Sequence, residues 1–428
     1  MHATLLSSEP AAKATLTTSP TRIRLVFSEE VEPSLGRIRL VAPDGHVTTL
    51  KSAGDPHDVS ALVAPIPSPL GPGVYRVEWR IVSEDGHPID GTYPFTVAPS
   101  AVSGQPATPA PSGATGQTAS GAPSGGTAAT PAPQDTATAS DTATTGQGTT
   151  ISEVPAAPAA LRGLAIGALM AFAGLLGFLV TRRTAAPQLR ASRLVRRLAI
   201  ATAILVPLHL VAWALAVSPD HSLGGDTMAA LLASGPGKVE LARTALALLA
   251  VWALLLVRRE RLALYIAVVA ILASSATGHS AAIHPEWGIP GRALHLLAVA
   301  AWLGGLLWLV TLDRSDAPGA IAEAQRVSSL ALIAVIVVTF SGVVQTWLFL
   351  PAWGDLIHSQ YGLIVLAKVA GVGVLVLFGA YHRFRILPRL SDAVVAEGFP
   401  VSLRREIAVM SLLVLLGGLL AYLSPPTH

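Results

Sequence analysis

The sequence predicts two domains of different fold class, an N-terminal all-β sandwich and a C-terminal all-α polytopic membrane bundle of about eight transmembrane helices. Hydrophobic residues make up 51% of the 428 residues and charged residues only 13%, which excludes a soluble globule for the whole chain. Apolar stretches long enough to cross a bilayer recur in the second half, whereas the first 98 residues contain short runs of alternating polarity.

Strand-like alternation predicts the fold of the first domain. In the run GVYRVEWRIVS (73–83), Tyr75, Val77, Trp79 and Ile81 share one face and charged residues share the other. Pro, Gly and Asp turns separate this run from similar ones. A sandwich of about 100 residues, Greek-key and immunoglobulin- or cupredoxin-like, is the fold that buries such faces.

A low-complexity segment separates the domains, so we place the boundaries at 1–98, 99–157 and 158–424. Residues 99–157 are rich in Ala, Thr, Pro, Gly, Ser and Gln and contain no aromatic residue, Lys or Arg. Such a segment cannot form a core, and we expect a disordered tether with a root-mean-square span of about 40 Å. The sandwich could then reach the outer mouth of the membrane domain.

Arginine placement predicts how the bundle is oriented. The expected spans are roughly 159–181, 194–217, 238–257, 262–282, 290–312, 327–350, 362–382 and 405–423. Arginines cluster in alternate turns, and the intervening turns contain no Lys or Arg. The positive-inside rule then predicts a multi-pass protein of the bacterial plasma (inner) membrane, with the sandwich and the C-terminus extracytoplasmic. The first residues lack a signal peptide, so we expect that one has been removed or omitted.

Composition also restricts partners and metal chemistry. The net charge of +3 is mostly a topology signal, so the lipid bilayer, and not nucleic acid, is the expected partner. The chain has no cysteine and four methionines, which excludes thiolate sites and disfavours a methionine-lined Cu(I) path. Imidazole and carboxylate ligands favour a harder ion such as Cu(II). In the sandwich, Asp85 and His87 follow a strand and can project from one turn, although ordinary turn chemistry more often explains that spacing.

Histidines mark the membrane domain as a second candidate site. His279, His284 and His295 lie at the junction of the fourth and fifth predicted spans, and ionisable groups at membrane depth are usually functional. His209 and His295 lie at depths of about 12 Å and 8 Å, so the two can share one layer. Four further polar side chains fall in the same outer third: Glu240, Arg243, Gln345 and Lys368. We expect a hydrated vestibule; the alternative is a network that only holds the bundle together.

Two segments of the chain resemble known families. HATLLSSEP, VFSEEV (26–31) and GVYRVEWRIVSEDGHPIDGTYPFTV (73–97) closely resemble the CopC family of extracytoplasmic copper-binding domains. GHSAAIHPEWG, HLLAVAAWLGGLLWL and YGLIVLAKVAGVGVLVLFGAYHR resemble the CopD family. The chain therefore resembles a CopC–CopD fusion. The resemblance implies a Cu(II) site made by the amine and imidazole of His2 with Asp85 and His87, although Met1 precedes His2 and blocks that amine.

Together these observations predict copper binding and transfer at the bacterial plasma membrane for uptake or resistance. The sandwich would capture Cu(II), and the membrane domain would move Cu(I) or Cu(II) inward through His279, His284, His295 and His209. We expect no enzyme, and other periplasmic copper proteins are possible partners. Two alternatives remain open: a membrane redox protein with haem between His209 and His295, and a copper sensor or storage module.

Overall fold

The computed structural model describes residues 3–83, 86, 88–99, 156–184, 187–218, 222–278, 285–313, 315, 317–350 and 352–423. Five of the predicted metal ligands lie outside these described residues: His2, Asp85, His87, His279 and His284. Almost all of the predicted tether, 99–157, also lies outside them. For these ligands, the structure gives only the positions of the residues that neighbour them in the sequence.

The N-terminal domain consists of two β-sheets. Its strands are β1 Leu5–Glu9, β2 Thr15–Leu16, β3 Arg22–Phe27, β4 Arg37–Val41, β5 Val47–Leu50, β6 Ala53–Asp55, β7 Asp58–Pro65, β8 Gly73–Val82 and β9 Pro88–Val97. One sheet has the order β1-β3-β7-β6 and the other β2-β9-β8-β4-β5. Apart from the short parallel pair β2–β9, neighbouring strands are antiparallel.

The two sheets bury one apolar core between them, and the predicted face of β8 contributes to it. Tyr75, Val77, Trp79 and Ile81 are all buried, as the period-two alternation predicts. Trp79 lies opposite Gly91 on β9, and a Cβ at Gly91 would overlap its indole ring. Glycine at this position therefore makes room for the largest side chain of the core.

The C-terminal domain is helical. Its helices are α1 Ala156–Val180, α2 Leu189–Val217, α3 Gly225–Ala233, α4 Gly235–Leu255, α5 Glu260–Ala273, α6 Pro285–Thr311, α7 Ala317–Phe349, α8 Asp355–His358, α9 Gln360–Tyr381 and α10 Ala393–Leu420. Among the described residues, five helical segments are long and apolar enough to cross a membrane: Ala157–Val180, Leu189–Val217, Pro285–Thr311, Ala317–Phe349 and Gln360–Arg389. Helices occupy all eight predicted positions, but α5 has only 14 residues. The number of spans beyond five stays a prediction.

Helix α1 lies at the centre of this bundle, where it packs against α2, α6 and α10. Its Gly174 meets Gly304 of α6 so closely that a Cβ on either residue would overlap backbone atoms of the other helix. The two glycines thus allow a close contact between α1 and α6, as small residues do at helix interfaces in membranes.

The sandwich rests directly on one end of the bundle, which we call the sandwich end. This end is formed by the C-terminus of α2, by α3 and by the N-terminus of α4. A mixed apolar cluster joins the two domains, with Leu35 and Val82 from the sandwich and Trp213, Ala214, Val217 and Leu231 from the helices. The sequence predicts only that a tethered sandwich can reach the bundle, whereas the structure gives a specific docked position.

Candidate functional site

The turn between β8 and β9 carries the predicted Cu(II) ligands of the sandwich. Gly86 stands at its centre with a left-handed φ of +86°, and its N–H donates to the carbonyl of Ser83 at 2.8 Å. Asp85 and His87 flank Gly86 in the sequence. Because glycine adopts positive φ without steric cost, the sequence DGH suits this tight turn.

The start of the chain reaches the same end of the sandwich as this turn. The N–H of Ser28 donates to the carbonyl of Thr4 at 2.9 Å. Three residues further on, Val31 forms an antiparallel bridge with Ser83. The described neighbours of His2 therefore lie toward the turn, an arrangement compatible with a shared site.

The β8–β9 turn is seated on the helices. The indole Nε1–H of Trp213 on α2 donates to the carbonyl of Gly86 at 3.1 Å. A Cβ built on Gly86 would lie 3.4 Å from Cβ of Pro236 in the first turn of α4. Trp213 is only 3% exposed. The predicted copper-binding turn thus faces the junction of α2 and α4.

Two opposite charges of the sandwich meet the helix ends that complement them. Arg80 donates to the carbonyl of Ala216 in the last turn of α2 at 2.6 Å. Glu32 accepts from the N–H of Gly235 in the first turn of α4 at 3.0 Å. Terminal carbonyls and N–H groups have no partner within their helix, and the helix dipole favours a cation at the C-terminus and an anion at the N-terminus. The docked position is therefore favoured electrostatically as well as by apolar burial.

One helical turn below Trp213, His209 belongs to a buried polar group. Its Nδ1 lies 2.8 Å from Nη2 of Arg243 and 3.6 Å from Oε2 of Glu240. The same Arg243 nitrogen lies 2.5 Å from Oε2 of Glu240, which makes a close ion pair. The side chains of these three residues are at most 3% exposed. The structure thus brings together three of the polar residues predicted for the outer third.

The hydrogen bonds of His209 determine which ring nitrogen carries the proton. A guanidinium only donates, so Nδ1 of His209 accepts from Arg243. The proton of the neutral ring is then on Nε2, which has no hydrogen-bond partner among the described residues. A protonated nitrogen has no lone pair for a metal. In this arrangement His209 is a hydrogen-bond donor and not a ready ligand.

His295 on α6 has the opposite arrangement. Its Nδ1 lies 2.8 Å from Oγ of Ser341 on α7. The Ser341 hydroxyl proton is directed at the carbonyl of Val337, 2.6 Å away, so its oxygen accepts from Nδ1–H of His295. The lone pair of neutral His295 is then on Nε2. Metal-ligating histidines commonly have their other nitrogen fixed in this way.

The two remaining predicted residues of the outer third are placed differently. Lys368 on α9 interacts electrostatically with His295, and its Nζ lies 3.8 Å from a Cβ built on Gly417. Gln345 donates to the carbonyl of Ser341 at 3.3 Å, within its own helix. Lys368 therefore belongs with His295, whereas the bond of Gln345 is local.

Two arginines at the sandwich end were missed by sequence reasoning. Arg162 on α1 donates to Oγ1 of Thr277 at 3.3 Å, and Arg292 on α6 donates to the carbonyl of the same threonine. Both lie inside apolar segments, which is the signal that identified Arg243. With these two arginines included, this part of the bundle is strongly basic.

Near the opposite end of the bundle, His382 is buried between helices. Its Nδ1 lies 3.1 Å from Glu406 and its Nε2 lies 2.8 Å from Oγ of Ser402. Glu406 also accepts from Nε1–H of Trp302 at 3.3 Å. Both imidazole nitrogens are thus occupied, so His382 has no free nitrogen for an ion leaving the bundle.

Among residues 3–83, 86, 88–99 and the described helical segments, no three His, Asp or Glu side chains form a group able to hold a metal ion. Any multidentate site made by the predicted ligands would therefore include residues outside the described part.

Comparisons with known proteins match one segment in each domain of the chain. Residues 5–98 match the CopC domain family, and residues 321–420 match the family Copper resistance protein D, CopD. The chain is 26% identical over 409 residues to Copper transport protein CutJ of Bacillus subtilis strain 168, covering 89% of this chain and 67% of CutJ. It is 40% identical over 108 residues to Copper resistance protein C of Escherichia coli, covering 22% and 81% of the two chains. The crystal structure of CopC from Methylosinus trichosporium OB3b matches with 32% identity and a TM-score of 0.22, covering 23% and 95%.

Proposed function

Because this chain belongs to the CopC family and joins its CopC domain to a CopD domain, we propose that it captures copper outside the plasma membrane and moves it inward. In this proposal the sandwich binds Cu(II) through His2, Asp85 and His87. The membrane domain then receives copper, as Cu(I) or Cu(II), for uptake or resistance. The similarity of the chain to a copper transport protein supports the transport part of the proposal.

The observation that carries the proposal is the contact of the β8–β9 turn with helices α2 and α4 of the bundle. The Gly86 carbonyl is bonded to Trp213, and Trp213 lies one helical turn from the buried His209. A metal released by ligands beside Gly86 would therefore arrive at the junction of α2 and α4. It would not have to diffuse across the membrane surface.

The direction of the helices supports the proposed orientation. α2 ends and α4 begins beneath the sandwich, so the basic turns with Arg190, Arg193, Arg258 and Arg259 fall at the opposite end. The positive-inside rule then makes the opposite end cytoplasmic and the sandwich end extracytoplasmic. Eight membrane-crossing segments would give this arrangement, with α5 and its following turn as the shortest.

Within the membrane domain, we assign His295 as the receiving ligand of the described part, because its Nε2 lone pair is available. His279 and His284, just before α6, are the proposed entrance ligands. His209 takes a supporting role beside Glu240 and Arg243. The same argument disfavours haem, because bis-imidazole ligation needs an Nε2 lone pair on His209 as well as on His295.

Copper accumulation in cells tests this function. Elemental analysis would compare cells making equal amounts of the full chain, a His295→Ala variant and a chain lacking residues 1–98. The proposal predicts accumulation above control for the full chain and a loss of it in His295→Ala. Equal copper in all three would reject transport and favour the sensor or storage alternative. A Soret band in the purified chain would favour the haem alternative.

A further inference from the structure

The sandwich end of the bundle holds more positive charge than the proposed copper path can use, and two of its arginines, Arg162 and Arg243, are buried. Four basic side chains from α1, α4, α6 and α9 meet there: Arg162, Arg243, Arg292 and Lys368. In the described part of the chain, their ion pairs come from one carboxylate, Glu240, which pairs with Arg243. Unpaired charges at membrane depth are costly, so this excess calls for a neutralising partner.

The unsatisfied polar atoms near these cations are mostly donors. Four buried nitrogens have no hydrogen-bond partner among the described residues: Nε of Arg162, Nε2 of His209, and Nε and Nη1 of Arg243. Nε2 of His209 is a donor because its Nδ1 accepts from Arg243. A buried donor without an acceptor is unfavourable, because its lost hydrogen bond to water is not replaced. The missing partner is therefore an acceptor, which excludes a metal cation at these atoms.

Two of the guanidinium groups also converge on one point of the backbone. A Cβ built on Gly278 would lie 2.9 Å from Nη1 of Arg292 and 3.7 Å from Nη2 of Arg162. Two like charges that lie close together repel each other more strongly away from water than in it. Planar guanidinium groups match the geometry of carboxylate and phosphate oxygens, to which each can donate two hydrogen bonds.

We propose that Arg162, Arg243 and Arg292, with His209, form a binding site for an oxyanion at the sandwich end of the bundle. The ligand is a small oxyanion, or the carboxylate or phosphate group of a larger molecule. Glu240 neutralises only one of the four positive charges, so the group of side chains remains positive and still favours an anionic ligand. The site stands whether or not copper crosses the membrane, because it rests on the charges and donors of the bundle alone.

Thermal unfolding of the purified full chain in detergent tests the proposal. Midpoints would be compared in sodium chloride, acetate and phosphate at equal ionic strength. We expect midpoints about 2–5 °C higher in acetate or phosphate than in chloride, which has no oxygen acceptors, because a ligand that binds the folded state stabilises it. A rise with phosphate assigns a phosphate group, and a rise with acetate assigns a carboxylate.

Matched variants locate the effect. Arg162→Gln and Arg292→Gln should each lose the rise, whereas Arg197→Gln, an exposed arginine of α2 near the opposite end, should keep it. If the Gln variants do not fold, Arg162→Lys and Arg292→Lys retain the charge but not the planar fork, and should reduce the rise. Equal midpoints in all three salts, or an unchanged rise in the arginine variants, would overturn the proposal.

Discussion

Trp213 of the helical domain donates a hydrogen bond to the carbonyl of Gly86 in the sandwich, with 3.1 Å between the two atoms. This bond joins the turn that carries two predicted copper ligands to the helix that carries His209. Around it, Arg80 and Glu32 bind the ends of α2 and α4. The two domains therefore form a defined interface, and the predictions below test its parts separately.

An engineered disulfide should trap the docked position. The sequence contains no cysteine, so no other thiol can compete for the disulfide. Oγ of Ser34 lies 3.4 Å from the carbonyl of Ala230 across the interface. A Ser34→Cys/Ala230→Cys variant with a protease site inserted in the linker should keep the sandwich attached after cleavage without reductant. Release of the sandwich at the same rate as from Arg76→Cys/Ala230→Cys would contradict the docked position.

Copper binding by the sandwich should depend on the turn. His87→Ala should abolish tight Cu(II) binding by the isolated domain, because it removes one imidazole from a small ligand set. Electron paramagnetic resonance of the Cu(II)-loaded domain measures this. His57→Ala, a change at an exposed loop imidazole, is the matched control and should leave the spectrum as it is. An unchanged spectrum in His87→Ala would count against the assignment.

The two membrane histidines should differ in copper accumulation. His295→Gln removes an available lone pair and should lower accumulation at least about tenfold if that nitrogen is a required ligand. His209→Gln keeps a side-chain oxygen that can accept from Arg243, and should retain most of the accumulation. Elemental analysis of cells with equal protein levels separates the two. The opposite order would show that the assigned proton positions do not govern the path.

Acid should destabilise the sandwich through its carboxylates around Arg24. The hydrogen bond from Arg24 lowers the pKa of Asp55, and bonds from Ser60, followed by Arg24, lower the pKa of Asp58, both from 3.8. A lowered folded-state pKa contributes stability above the unfolded value, and that stability is lost as the pH falls below about 4. Arg24→Gln should make stability less dependent on pH in this range. Urea unfolding of the isolated sandwich, whose one tryptophan is Trp79, measures this stability by fluorescence. Parallel pH profiles for the original sandwich and for Arg24→Gln would contradict the prediction.

The sequence predicts the layout of the molecule better than its contacts. Alternation identifies the buried face of β8, and apolar length identifies helices at all eight predicted positions, because both patterns follow from local geometry. The docking of Trp213 on Gly86 depends on residues 127 positions apart, which no local pattern specifies. The different proton positions of His209 and His295 depend on Arg243 and Ser341, whose approach only the packed helices determine.

Two helices begin before the membrane spans that the sequence predicts for them, and the reason is physical. α6 begins at Pro285 and α7 at Ala317, whereas the apolar stretches begin near 290 and 327. A hydropathy scan detects the part of a helix that lipid can surround, but helices extend beyond it with polar turns. The earlier start of α6 places His295 about 15 Å from its first residue, close to the depth of about 12 Å for His209.

Copper accumulation by a chain whose sandwich cannot dock is the most direct test of delivery from the docked position. Glu32→Lys/Arg80→Glu places each charge against the unfavourable helix end and leaves the predicted copper ligands in place. Arg76→Glu, at an exposed position on the same strand as Arg80, is the matched control. Our account predicts that the double variant accumulates copper several-fold more slowly than the full chain, near the rate of a chain lacking residues 1–98, while the control is unaffected. Accumulation by the double variant at the full rate would contradict it.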